Sequence, residues 1–182
     1  MGQLQPPRTL ETVRSFLRPV SVDDAQAIFD SYASSPVATR FMNFPRQQIP
    51  AEAVQFAMRC ARCWEDRTAF PWAVVSKAGG DFMGIVELRL DPPKADFGYV
   101  FAERFWGHGL GTEAARAVVD WACAQPEIYR VWATCHPQNT RSARVLEKLG
   151  LALEARLENW EARPQLGEAA GPSLVFAKVL SR

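Results

Sequence analysis

The 182-residue sequence predicts an α/β (α+β) fold: a mixed, mostly antiparallel sheet of about seven strands with helices on both faces. Three observations carry this expectation. At the centre of the chain three β-rich runs stand in a row, parted only by short turn chemistry. The pattern then changes, through a glycine-rich turn, to a helix, a strand and a second helix. With 48% hydrophobic and 23% charged residues, the chain has the composition of a domain that buries its core without metals or disulfides. No repeat or linker-like tract divides it, so residues 1–182 read as one domain.

In chain order, residues 12–18 alternate as a first strand should. Ser21 then precedes VDDAQAIFDSYA. A hydroxyl N-cap, acids in the first turn, and Val22, Ala25, Ile28, Phe29 and Tyr32 at helical spacing predict a helix there. The proline-punctuated stretch SSPVATRFMNFPRQQIP leads to a second helix over about 51–65. The central meander reads AFPWAVVS, DFMGIVELRL and ADFGYVFA, joined by GGD and PPK turns. After the turn WGHGLG come a helix over about 112–125, a strand YRVWATCH, and a helix over about 139–149 closed by Gly150. Two last β-like runs, LALEARLENWE and SLVFAKVL, flank the loop ARPQLGEAAGP.

Charge and composition exclude several function classes. The 21 basic against 20 acidic residues leave +1, so no general field exists to hold DNA, RNA or a membrane face. No apolar run approaches the ~20 residues of a membrane span, and the start lacks a secretory layout, so a cytoplasmic protein is expected. Pro6 stands where myristoylation of Gly2 needs Ser or Thr. Of Cys60, Cys63, Cys123 and Cys135, only the first two are close, within a helical pattern and with no second CxxC. Reduced, partly buried thiols and no metal are therefore expected.

The segment Trp106-Gly107-His108-Gly109-Leu110-Gly111-Thr112 joins a strand to a helix N-terminus. There, bare N–H groups and the positive end of the helix dipole suit a phosphate. GxGxG is not the dinucleotide GxGxxG, and no Gly-Lys-Ser/Thr marks a nucleotide P-loop. By itself the cluster is equally a tight connection with no ligand.

Its surroundings resemble the GNAT superfamily of acyl-CoA-dependent N-acyltransferases. Trp106 to Gly111 occupies the superfamily's Arg/Gln-x-x-Gly-x-Gly/Ala signature, and FGYVFAERFWGHGLGTEAARAVVDWA is similar to the ribosomal-protein-alanine N-acetyltransferase branch, where Trp commonly replaces Arg or Gln. HPQNTRSARVLEKLGL resembles that branch's NxxSxxVLEKLGF, and LRPVSVDDAQAIF and SSPVATRFMNFP resemble its first strand, helix and loop, so the resemblance spans nearly the whole chain. Leu151, where Phe is usual, and Ala155, where Gly is common, depart from it.

The resemblance implies a sheet splayed between the fourth and fifth predicted strands, with coenzyme A lying in the gap. The cofactor-binding residues would be Tyr99, Val100, Phe101, Trp106, Gly107, His108, Gly109, Leu110, Gly111, Thr112, Asn139 and Ser142. The backbone N–H near Val100 would stabilise the oxyanion, and Ser142 would protonate the departing sulfur. Asn139 is also an ideal helix cap, and Ser142 has a plain solvent-facing alternative. Glu87 and Asp96 are candidate bases acting through water, each with a strand-face carboxylate as its bland alternative. His108 and His136 read as solvated loop residues. Phe41, Phe44, Trp64 and Trp160 line an acceptor pocket or fill core.

The implied activity is acetyl transfer from acetyl-CoA to a primary amine, a protein or peptide N-terminus or a small molecule, by direct attack. A succinyl or other acyl-CoA donor, which would need Arg89 or Arg141 near the thioester, and a non-catalytic acyl-CoA-binding regulatory module are the alternatives. Homodimerisation is left open.

Overall fold

The computed structural model describes residues 4–181; Gly2 lies outside them. Its eight strands are β1 (Leu10–Glu11), β2 (Ser15–Pro19), β3 (Phe70–Ser76), β4 (Phe82–Asp91), β5 (Lys94–Phe101), β6 (Arg130–Cys135), β7 (Ala152–Arg163) and β8 (Glu168–Val179). They form one sheet in the order β1-β2-β3-β4-β5-β6-β8-β7. The helices are α1 (Ala25–Ile28), α2 (Pro50–Asp66), α3 (Leu110–Ala124) and α4 (Thr140–Lys148).

Every neighbouring pair is antiparallel except β5 and β6, which are parallel and touch at three positions only, Lys94↔Arg130, Ala95↔Val131 and Asp96↔Trp132. Beyond Asp96 and Trp132 they part. The expected splay is therefore present, between the fifth and sixth strands once the two-residue β1, unseen in the sequence, is counted.

Helices cover both faces. On one face Ile28, Tyr32, Ala53, Ala57 and Cys60 pack with Ala73 and Ile85. On the other, Ala114, Ala115, Val118, Val119 and Ala122 of α3 pack with Val86, Leu88 and Val131. Such small residues let α3 lie close on the sheet. Trp64 fills core: its ring meets Phe70 and Trp72 edge-on at 5.0 and 5.2 Å, and its Nε1 donates to the Pro71 carbonyl at 2.8 Å. Trp160, by contrast, stands 52% exposed. Neither lines the acceptor side.

Two elements differ from expectation. The predicted first helix is broken into a 3-10 turn (Val22–Asp24), α1 and a π turn (Phe29–Ala33). Its start is secured by Asp24, which accepts the Ser21 N–H at 2.9 Å and both nitrogens of the Arg18 fork at 2.8 and 2.7 Å. Burial raises the Asp24 pKa, but the Arg18 guanidinium and the Ser21 N–H outweigh it and hold the carboxyl below the usual range. A depressed folded pKa gives stability that is present above the unfolded value near ~3.9 and lost as pH falls through the folded one. Acid unfolding of Asp24→Asn should therefore depend less on pH below about 4 than that of the parent.

The second difference is at the C-terminus, where most of the predicted loop 162–172 is strand. A 3-10 turn (Pro164–Leu166) and Gly167, at φ 71, close a tight hairpin instead.

Candidate active site

The glycine turn is built to leave donors unspent. A 3-10 turn (Glu103–Phe105) follows β5, and Gly107 and Gly109 take φ of 84 and 76, the left-handed region that glycine enters without cost. Gly109 caps α3, and the first helical N–H to bond back is that of Glu113, to the Gly109 carbonyl at 3.0 Å. Among the described residues, the N–H groups of Gly107, His108, Gly109, Leu110, Gly111 and Thr112 donate to no protein group. They lie at the positive end of the α3 dipole, an arrangement that suits an anion.

The turn is fastened from outside. Arg14 donates through Nη1 to the His108 carbonyl at 3.0 Å and through Nε to Glu113 Oε2 at 2.7 Å. Trp106 Nε1 donates to the Phe101 carbonyl at 2.7 Å, tying the turn to the end of β5. The His108 side chain is exposed, as expected.

A cavity of about 240 Å³ opens where β5 and β6 part. Phe97 to Val100 line one wall, Ala133 to His136 the other, and Asn139 and Ser142 one end. Phe101 and the turn residues lie beyond it.

Val100 needs correction as an oxyanion donor. A Cβ on Gly84 would sit 2.2 Å from the Val100 carbonyl oxygen, so that carbonyl faces β4. The Ala102 N–H donates to Met83 at 2.9 Å, which puts Ala102 and, by strict alternation, Val100 in the β4 ladder. The N–H groups of Tyr99 and Phe101 face the splay instead.

Across the splay, Asn139 caps α4, its Oδ1 accepting the Ser142 N–H at 3.2 Å. Ser142 Oγ lies 2.9 Å from the Tyr99 hydroxyl, which also donates to the Ser142 carbonyl at 3.2 Å. Burial around the Tyr99 hydroxyl pushes the phenol well up, so it stays protonated at all working pH. Burial likewise pushes the neighbouring Cys135 thiol up to about 11, against the lowering effect of a hydrogen bond with Ser142.

The carboxylates divide. Glu87 lines the cavity, and Arg89 pairs with both it and Asp96. Asp96 sits opposite Arg89 on β5, below the fork and outside the cavity. Its place outside the cavity, rather than its ion pair, corrects its candidacy as a base.

Three lining residues, Asn43, Glu161 and Arg163, had no signal of their own in the sequence. Glu161 accepts from Asn43 Nδ2 at 2.6 Å and pairs with the buried Arg163 through Nη2 at 2.8 Å.

His136 is also corrected, being 3% exposed rather than solvated. It stacks on Phe41 at 5.2 Å and accepts the Gln138 N–H on Nδ1 at 3.1 Å, which leaves the proton on Nε2, 3.5 Å from Glu168 Oε2. Phe41 and Phe44 line the cavity, and Gln165 Nε2 fastens their loop by donating to the carbonyls of Thr39 and Phe44 at 2.6 and 3.0 Å.

A forked sheet with an anion-seating turn at its mouth defines an acyl-CoA-dependent acyltransferase. The Acetyltransferase (GNAT) domain family matches residues 14–152, and the chain belongs to that family: it is a GNAT N-acetyltransferase, a fold that uses acetyl-CoA. The N-acetyltransferase YoaA of Bacillus subtilis is 24% identical over 154 residues, 83% of this chain and 86% of YoaA. Two solved structures share the fold. The microcin C7 self-immunity acetyltransferase MccE, in complex with acetyl-CoA and AMP, superposes at a TM-score of 0.85 over 96% of this chain and 98% of its own, with 18% identity. The ribosomal L7/L12 α-N-protein acetyltransferase RimL, in complex with coenzyme A, does so at 0.83 over 94% and 98%, with 15% identity. Among the described residues no helix is long and apolar enough to cross a membrane.

Proposed function

We propose that residues 1–182 form one domain that transfers the acetyl group of acetyl-CoA directly to a primary amine, with a protein or peptide N-terminus as acceptor. The single observation that carries this is the fork itself, whose free strand edge on β5 leads from the six-donor turn to Ser142. The residues present fit acetyl-CoA. Its pyrophosphate would take the N–H groups of Gly107 to Thr112, and its pantetheine arm the β5 edge beyond Asp96, in the manner of an added strand. Acetyl-CoA supplies the activated thioester.

The two faces of β5 separate the partners. Tyr99 points to the α3 and α4 side, where Ser142 waits for the sulfur. Val100 and Glu87 face the α1 and α2 side, from which the amine arrives. The Tyr99 and Phe101 N–H groups are aimed between them, where the oxyanion develops. Glu87 and Glu161 offer the cavity's carboxylates for the amine proton.

An α-amine, with a reference pKa near ~8, is roughly a tenth neutral at pH 7, whereas lysine near ~10.4 is almost wholly charged, so an N-terminus needs little help from a base. A succinyl donor is disfavoured, because Arg89 is paired with two carboxylates and Arg141 lies over the Trp106 ring at 4.9 Å.

Purified protein with acetyl-CoA and a panel of peptides, polyamines and small amines should release coenzyme A thiol only with its acceptor, which gains an acetyl mass. Acetyl-CoA binding with no release from any member of the panel would leave a binding module instead.

None of the four cysteines is in a disulfide, which is consistent with the reducing cytoplasm proposed as the protein's location. Direct transfer needs no acyl-cysteine. Burial pushes the Cys60 thiol up to about 12 and Cys135 up to about 11, so neither forms the reactive thiolate at pH 8. Disulfide-reagent titration should find both protected in the native protein and all four reactive in denaturant. An acetyl-cysteine trapped with ping-pong kinetics would refute direct transfer.

A further inference from the structure

We infer that the acceptor site continues into a second cavity, which receives an anionic side chain carried by the acceptor a residue or two beyond its amine. The inference rests on the acetyl-transfer reading above and specifies its acceptor.

The second cavity, of about 560 Å³, lies between the segment Phe44 to Gln48 and α2. Tyr32, Phe44 and Phe56 line both cavities, so the two adjoin across one aromatic wall. The two ends differ in charge. In the first cavity the cations are spent, Arg89 on Glu87 and Asp96, Arg163 on Glu161. In the second, Arg46 and Arg59 have no carboxylate partner among the described residues. One carboxylate, Glu52, also lines it, with Oε2 accepting the N–H groups of Gln48 and Ile49 at 2.6 and 3.2 Å, so two cations face one anion there. Arg59 spreads over the Phe56 ring at 5.8 Å, on the shared wall.

An acceptor matched to both ends is an amine followed by a short extended stretch and then an acid. A free amino acid is too short, its carboxylate lying beside its amine. An extended peptide advances on the order of 3.5 Å per residue, so an aspartate or glutamate near the second or third residue spans the wall. Polyamines, cationic along their length, meet Arg46 and Arg59 as like charges.

The test compares two short peptides that begin alanine-serine with a free amine and differ only at the third residue, glutamate or lysine. Calorimetric binding is measured with coenzyme A present, and kcat/KM with acetyl-CoA. The glutamate peptide should bind at least about fivefold tighter, with the difference in KM rather than kcat and shrinking at high salt, as exposed charge pairs dictate. Arg46→Glu with Arg59→Glu should reverse the order, while the acetyl-CoA-induced rise in Tm, a fold check far from these residues, stays. Equal binding of the two peptides by the parent, or an unchanged ratio in the variant, overturns the inference even if both peptides are acetylated. Preferential binding with no acetylation supports the second cavity and defeats the transfer reading instead.

Discussion

Acetyl-CoA at one hundred times its Kd should stabilise the protein by about 2.7 kcal/mol, and Gly109→Asp should abolish that gain. At ~2–4 °C per kcal/mol for a chain of this size, the expected shift is about 5–10 °C. Among the described residues, six consecutive N–H groups have no protein partner, and Gly109 sits in their midst at the α3 cap. A Cβ there would lie 3.5 Å from Arg14 Nη2, so the introduced carboxylate would be held on the turn and repel a pyrophosphate. The left-handed φ of 76 costs about 1–2 kcal/mol with a side chain, and aspartate tolerates it better than most, so the variant should still fold. NAD and ATP at the same concentration should do less in the parent; an equal shift from NAD would overturn the assignment of the turn.

Ser142→Ala should lower kcat by about a hundredfold while leaving the acetyl-CoA Kd within a few-fold. General acids contribute ~100 to 10,000-fold, and a thiol of parent pKa near ~8.5 is already a good leaving group, which places the loss at the lower end. Donation to the departing sulfur is an interaction made in the transition state, so it appears in kcat and not in binding. Cofactor affinity is preserved because the turn and the β5 edge hold acetyl-CoA independently. Tyr99→Phe tests the support of that hydroxyl: loss of the 2.9 Å contact to Ser142 Oγ should lower kcat less than loss of Ser142 itself, with KM unchanged. Full kcat in Ser142→Ala across pH 6 to 9 with the true acceptor would make water the proton donor.

The site was legible in the sequence where its chemistry is backbone chemistry. The turn from Trp106 to Thr112 and the cap at Asn139 are consecutive or nearly so, and what they do follows from glycine's freedom and from the polarity of helix ends. Strand alternation was legible too, yet not which alternate set of N–H groups faced the fork. That is decided by the neighbour: Val100 is turned to β4 because Gly84 lets its carbonyl approach, and the donors become Tyr99 and Phe101.

On the acceptor side Phe41 and Phe44 were legible as candidates, but their polar partners were not, for a related reason. Glu161, Arg163, His136, Asn43 and Phe41 are scattered over more than a hundred residues and meet only when the β7–β8 hairpin folds against the loop after α1. Glu168 reaches toward His136 because Gly171 leaves its place empty; a Cβ there would fall 1.9 Å from the carboxylate. Asp96 shows the same limit from the other direction: the family resemblance offers it as a base, and its place opposite Arg89, below the fork, leaves it outside the cavity.

By itself, then, the sequence determined most of the element order, though not β1 or the break in the first helix, the forked sheet through its family signature, and the phosphate turn, because these are written in local periodicity or in residues adjacent along the chain. Only the tertiary structure decided which N–H groups face the fork, which carboxylates stay in the cavity and what charge waits beyond the aromatic wall. Those depend on side chains distant in sequence competing for the same partner, and that competition is settled by packing.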